Sequence, residues 1–111
     1  MMKAERKTII INSLDTITFI PLADILYFEA DGSYCKVFTN DEESFLWCKR
    51  IGDVLKELDD SGFIKLSQSI IINRTFLKMI HKKEKKVELN FKAIKLSFTI
   101  QQNELRSLLE A

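Results

Sequence analysis

The sequence has little of what most catalytic and metal-binding chemistry requires. In 111 residues there is one histidine, His81, two cysteines, Cys35 and Cys48, and three glycines. Two thiols and one imidazole do not complete a four-ligand zinc site without carboxylates, and no CxxC spacing is present. So few glycines leave neither a GxxxxGK[ST] nor a GxGxxG phosphate loop. His81 has no Ser or Cys at a recognisable triad spacing. Asp41-Glu42-Glu43 is the one acidic run, and three acids in a hairpin loop read as solvated. The expectation is therefore a protein that is not an enzyme and carries no cofactor. Long apolar runs are also missing: none approaches the ~18 residues that cross a bilayer. The start, Met1-Met2-Lys3-Ala4-Glu5-Arg6-Lys7, lacks the apolar centre of a signal peptide. A cytoplasmic protein with no membrane partner is expected, with both cysteines reduced.

What is present is a chain of one-domain length with eight phenylalanines to fill one core, read here as a single domain over residues 1–111. Net charge is only +1, but its distribution is uneven. Residues 24–60 carry ten acidic and four basic side chains, whereas residues 61–95 carry nine basic and two acidic. A segment that basic suits a phosphate-attracting patch. It equally suits a solvated hairpin turn, since four of the charges fall in Lys82-Lys83-Glu84-Lys85-Lys86.

Short strands dominate the pattern. Thr8-Ile9-Ile10-Ile11 is rich in β-branched residues and predicts a strand over 7–12. A second strand over 16–20 ends at Pro21, which opens a short helical turn. Ile25-Leu26-Tyr27-Phe28-Glu29-Ala30 is apolar on both faces and predicts a central strand. Residues 34–39 and 44–48 form a hairpin. A four-residue loop over 40–43 sets Thr39 opposite Ser44 and so Cys35 opposite Cys48, which makes the two thiols neighbours. Ile51, Val54, Leu55 and Leu58 form one stripe of a helix over 50–60, closed by Ser61 and Gly62. Strands follow over 76–81, 87–90 and 94–98. Thr99 and Gln102 match a capping box opening the last helix, whose buried stripe is Leu105, Leu108 and Leu109.

One stretch breaks this pattern. In Phe63-Ile64-Lys65-Leu66-Ser67-Gln68-Ser69-Ile70-Ile71-Ile72-Asn73, a polar triplet interrupts two apolar strand pieces. Three hydrogen-bonding side chains at the centre of a buried strand would need partners. The simpler reading is a rigid surface loop, the kind of place where binding residues sit. Gln68, Gln101 and Gln102 have the amide that pairs bidentately with adenine in a major groove. Ser69 and Thr99 can donate to phosphates. Taken singly, each hydroxyl is better explained as a plain residue of the fold, Thr99 as an N-cap and Ser69 as a turn hydroxyl.

Three segments together resemble the LytTR DNA-binding domain of bacterial response regulators, over nearly the whole chain. Residues 25–34 are similar to the family's I-x-Y-x-E-A-x-G-x-Y segment. Residues 63–73 are similar to F-x-R-x-H-[KR]-S-[YF]-x-[VI]-N. Leu96-Ser97-Phe98-Thr99-Ile100-Gln101 is a looser match to [IL]-P-V-S-R-[RK]. The resemblance implies a mainly β fold: antiparallel sheets of about ten short strands, one mid-chain helix and one C-terminal helix. It also implies sequence-specific binding of double-stranded DNA in transcription regulation, through loops inserted in the major groove. The contacts would come from Ser33 and Tyr34, from Ser67, Gln68 and Ser69, and from Thr99, Ile100 and Gln101, with Gln102 next to them. Lys65 and Arg74 would hold the backbone. Two departures stand out: Ser67 replaces the usual His, and Gln68 and Gln101 replace basic residues. Each phosphate that is no longer neutralised flattens the salt dependence of binding by about 0.9 in slope. The alternative expectation is a domain without DNA readout that binds another protein. A homodimer on repeated half-sites and a separate signalling protein are the further partners this reading allows. Family members often carry a receiver domain or membrane segments ahead of this one. This chain starts about seven residues before its first strand, as a stand-alone regulator or an excised piece would.

Overall fold

The five-stranded sheet at the centre is organised by β3, Ile25–Asp31. The computed structural model describes residues 8–58 and 62–110. Every strand pair in it is antiparallel. On one side β3 pairs with β4, Tyr34–Thr39, which pairs with β5, Ser44–Trp47. On the other side it pairs with β7, Ile70–Asn73, which pairs with β6, Phe63–Lys65. The sheet order is β5-β4-β3-β7-β6. This explains why Ile25, Leu26 and Phe28 are all buried although they do not alternate. A central strand covered on both faces reads as a continuous apolar run.

The two faces feed two cores. On one face, Phe28, Cys35, Val37, Trp47 and Ile71 pack with Ile9, Ile11 and Ile20 of a two-stranded ribbon. That ribbon is β1, Thr8–Asn12, and β2, Ile17–Pro21. The same core takes Val54 and Leu58 from α1, Ile51–Leu58, with Ile51 and Leu55 partly buried beside them. On the other face, Leu66 and Ile72 pack with Val87, Leu89, Ile100 and Leu105. Val87 and Leu89 come from a three-stranded sheet, Leu105 from the last helix, and Ile100 from the chain between the two. The sheet has the order β10-β9-β8, with β8 at Leu77–His81, β9 at Lys86–Phe91 and β10 at Ile94–Thr99. The helix α2 is Gln102–Glu110. Ile71 turns to the first core and Ile72 to the second, so the isoleucine run of β7 follows from a sheet buried on both sides.

Most sequence expectations hold, including the mainly β fold, the central β3 and the helical stripe. Leu109, expected in the buried stripe of the last helix, is instead exposed, and three further readings are corrected. The β4–β5 loop runs from Thr39 to Glu43, because Phe38, not Thr39, lies opposite Ser44. Thr39 N donates to Glu43 O at 2.9 Å, and Glu42 takes a positive φ of 65° to close this longer loop. A shift of one residue exchanges the faces of a strand. Cys35 therefore faces Trp47 and is buried, Cys48 is exposed beyond the strand end, and the thiols are not opposed, though both are free. Second, Thr99 does not cap the last helix. It is the final residue of β10, paired with Lys86, and the helix starts at Gln102. Third, Arg74 and Thr75 lie in a 3-10 turn, Arg74–Phe76, so the next strand begins at Leu77. The expected strand residue Lys7 and the expected helix end at residues 59–61 lie outside the described residues.

Candidate nucleic-acid interface

The polar triplet is a short, tightly held loop. Leu66 N donates to Ile70 O at 2.9 Å and Ser67 N to the same oxygen at 3.4 Å. The Ser67 hydroxyl oxygen accepts from Ser69 N at 3.1 Å, which uses Ser67 to shape the turn. Gln68 and Ser69 are left exposed. Leu66, just before the triplet, is fully buried in the second core and anchors the loop's base.

Main-chain bonds tie this loop to two other elements. Ala30 N donates to Ser69 O at 2.8 Å, which joins it to the end of β3. There Asp31 pairs with Tyr34 across a two-residue turn of Gly32 and Ser33. Gly32 has a φ of 64°, the first-position requirement of a II′ hairpin turn. Ser33 and Tyr34 are exposed at that tip. Gln101 N donates to Leu66 O at 3.0 Å, which joins the loop to the start of α2. One residue earlier, Ile100 N donates to Lys85 O at 2.9 Å. The segment from Thr99 to Gln102 thus runs between the polar loop and the lysine-rich β8–β9 turn. Finally, Ser67 and Gln68 share a cleft of about 370 Å³ with Ile51, Gly52 and Leu55 at the start of α1.

Of the residues singled out in the sequence, Ser33, Tyr34, Ser67, Gln68, Ser69, Gln101 and Gln102 are thus tied into one neighbourhood, with Thr99 at its lysine side. Lys65 adjoins it, but its ammonium lies 4.0 Å from the Glu104 carboxylate on α2. Its charge is partly answered within the protein. Arg74 lies apart. It follows the far end of β7, about 16 Å of extended chain from Ser69, and its amide bonds Gly62 O at 2.9 Å.

The lysine turn is the part that sequence reasoning did not place. Lys82, Lys83, Lys85 and Lys86 are all exposed. His81 Nε2 lies 3.0 Å from Glu88 Oε2 at the base of this hairpin. The hydrogen bond from His81 holds the Glu88 carboxyl below the ordinary carboxylate range, with Lys95 and Lys78 adding to the effect. Among the described residues no cluster of His, Cys, Asp or Glu is arranged to hold a metal. No described helix is long and apolar enough to cross a membrane.

Antiparallel sheets with an edge cluster of polar loops define a fold seen before. The LytTr DNA-binding domain assigned to a methyl-accepting/DNA response regulator from Bacillus cereus is similar, with a TM-score of 0.73 over 96% of each chain. Sequence identity is 16%, so that likeness speaks for the fold. The family is given by a second comparison. The model of the LytTr DNA-binding domain family matches residues 15–111, and the chain belongs to that family. At the level of the family its function is DNA binding in transcription regulation. Comparison with curated proteins finds no match.

Proposed function

We propose that this domain binds double-stranded DNA sequence-specifically through the loops gathered around Ser67, Gln68 and Ser69. The observation that carries this reading is the pair of hydrogen bonds from Ile100 to Lys85 and from Gln101 to Leu66. They set exposed amide side chains beside a cluster of exposed lysines on one rigid edge. Gln68 and Gln101 offer the paired donor and acceptor that recognise adenine in a major groove. Ser33 and Tyr34 extend the same edge. Ser69, Thr99 and Lys65 contact the sugar-phosphate backbone, as do the four lysines of the β8–β9 turn. The turn supplies charge that Gln68 and Gln101 do not. Arg74, at the other end of β7, has no part in this edge.

Selection from random duplexes, carried out at two salt concentrations, tests the reading. Enrichment of one sequence class is expected, and absence of enrichment at low salt overturns it. Gln68→Ala should relax preference at one base position, at a cost of about 1–3 kcal/mol in discrimination. Non-specific affinity should change much less.

A further inference from the structure

Apart from Ser33 and Tyr34, the acidic stretch over residues 24–60 takes no part in the DNA reading, and it adjoins an unusual face. The β1–β2 ribbon turns Ile9, Ile11 and Ile20 into the first core. Its register then places Ile10 opposite Phe19 and Asn12 opposite Ile17 on the outer face. An antiparallel strand with one solvated face normally alternates apolar inside with polar outside. Here Ile10, Ile17 and Phe19 are 54%, 58% and 63% exposed. Leu14, in the connecting turn, is 98% exposed. Among the described residues β2 has a strand partner on one side only.

Beside β2 lies a groove of about 150 Å³, lined by Phe19 of the ribbon and by Asp24, Asp41 and Glu43. No lysine or arginine lines it. Asn40 N donates to Asp24 O at 2.8 Å, which fixes the β4–β5 loop against the turn after Pro21. Asp24, Asp41 and Glu43 thus line one groove together with Phe19 of the apolar face. We propose that this outer ribbon face and its acidic flank form a docking surface for a basic, apolar segment of a partner protein, laid along β2.

Charge selects this occupant. DNA is excluded by the carboxylates. A second copy would bring the same face, whose groove carries Asp24, Asp41 and Glu43 and no lysine or arginine to answer them. A segment that alternates lysine or arginine with apolar residues meets both features at once, pairing with the strand edge while its side chains split between them.

The test uses the whole chain and two synthetic peptides of equal length, one alternating lysine with valine, the other glutamate with valine. Amide resonances are followed during titration. The lysine peptide is expected to shift residues 17–20 together with Asp24, Asp41 and Glu43, and the glutamate peptide to shift none of them. Phe19→Ser should weaken the lysine peptide about fivefold or more, as loss of a central aromatic anchor does. The paired change Asp24→Asn with Glu43→Gln should weaken it as well, and more at low salt. Phe19 is exposed, so neither variant should alter the melting temperature or the sequence class enriched in duplex selection. Equal binding of the two peptides, or no shifts with either, overturns the proposal. So does a concentration-dependent dimer that Phe19→Ser abolishes, because that result gives the face to a second copy.

Discussion

Asn73 is a polar residue with only 3% of its surface exposed. Its amide nitrogen donates to Leu22 O at 3.3 Å and to Ile25 O at 2.8 Å, and its oxygen accepts from Thr75 N at 3.0 Å. One side chain thus ties the end of β7 to the start of β3 and caps the following 3-10 turn. Asn73→Ala should leave buried carbonyls unpaired, at a cost of about 1–3 kcal/mol or more in unfolding free energy. Denaturant titration checks this. Asn73 closes the 63–73 segment in the sequence, but nothing local marks it as a buried bracket. Its partners are 48 and 51 positions away. Cys35 shows the same limit. Burial pushes its thiol up to about 11, with Lys49 opposing weakly. In the folded chain Cys35 therefore stays protonated. The stability this brings is full below the ordinary thiol range and declines as pH rises toward 11. At pH 8, a thiol reagent should modify Cys48 on the native protein and reach Cys35 only after unfolding. Mass spectrometry of the labelled chain reads this out. The sequence showed two cysteines on paired strands. Which faced inward hinged on whether the loop had four or five residues, and Asn40-Asp41-Glu42-Glu43 gives no local sign that Glu42 takes the positive φ.

At the scale of elements, β7 and α2 contrast. The three isoleucines of β7 were legible as a buried strand because a sheet covered on both faces needs an unbroken apolar run. The start of α2 was misread, because Thr99 and Gln102 have the spacing of a capping box while Thr99 is also a good strand residue. Pairing with Lys86 decides in favour of the strand. Leu66 joins these elements. It is fully buried, and its carbonyl holds Gln101 at the helix start. Leu66→Ala should cost about 2–5 kcal/mol. Because the same residue seats the polar loop, the variant should also lose sequence preference at temperatures where it remains folded. Circular dichroism and duplex selection on one sample separate the two effects.

For the whole molecule, the uneven charge visible in the sequence becomes a division of surfaces. The lysine turn lies at the edge with Gln101, and the acidic loop lies beside the β1–β2 ribbon. The sequence carried the charge counts but not the adjacency, since Lys85 and Leu66 are brought together only through Ile100 and Gln101. Replacing Lys82, Lys83, Lys85 and Lys86 by Gln should flatten the dependence of log affinity on log salt, by about 0.9 for every phosphate these lysines neutralise. The enriched base sequence should stay the same. Fluorescence anisotropy with one labelled duplex over a salt series gives the slope. An unchanged slope would remove the turn from the DNA edge.

The polar loop is built by its backbone. Leu66 N, Ser69 O and Leu66 O each bond to main-chain atoms of other residues, and the Ser67 hydroxyl is the triplet side chain that shapes the turn. Positions 68 and 101 are therefore free to vary without unfolding the frame. Such a domain is open to retargeting: a small library at these two positions can be screened for new operator sequences while the melting temperature serves as a constant.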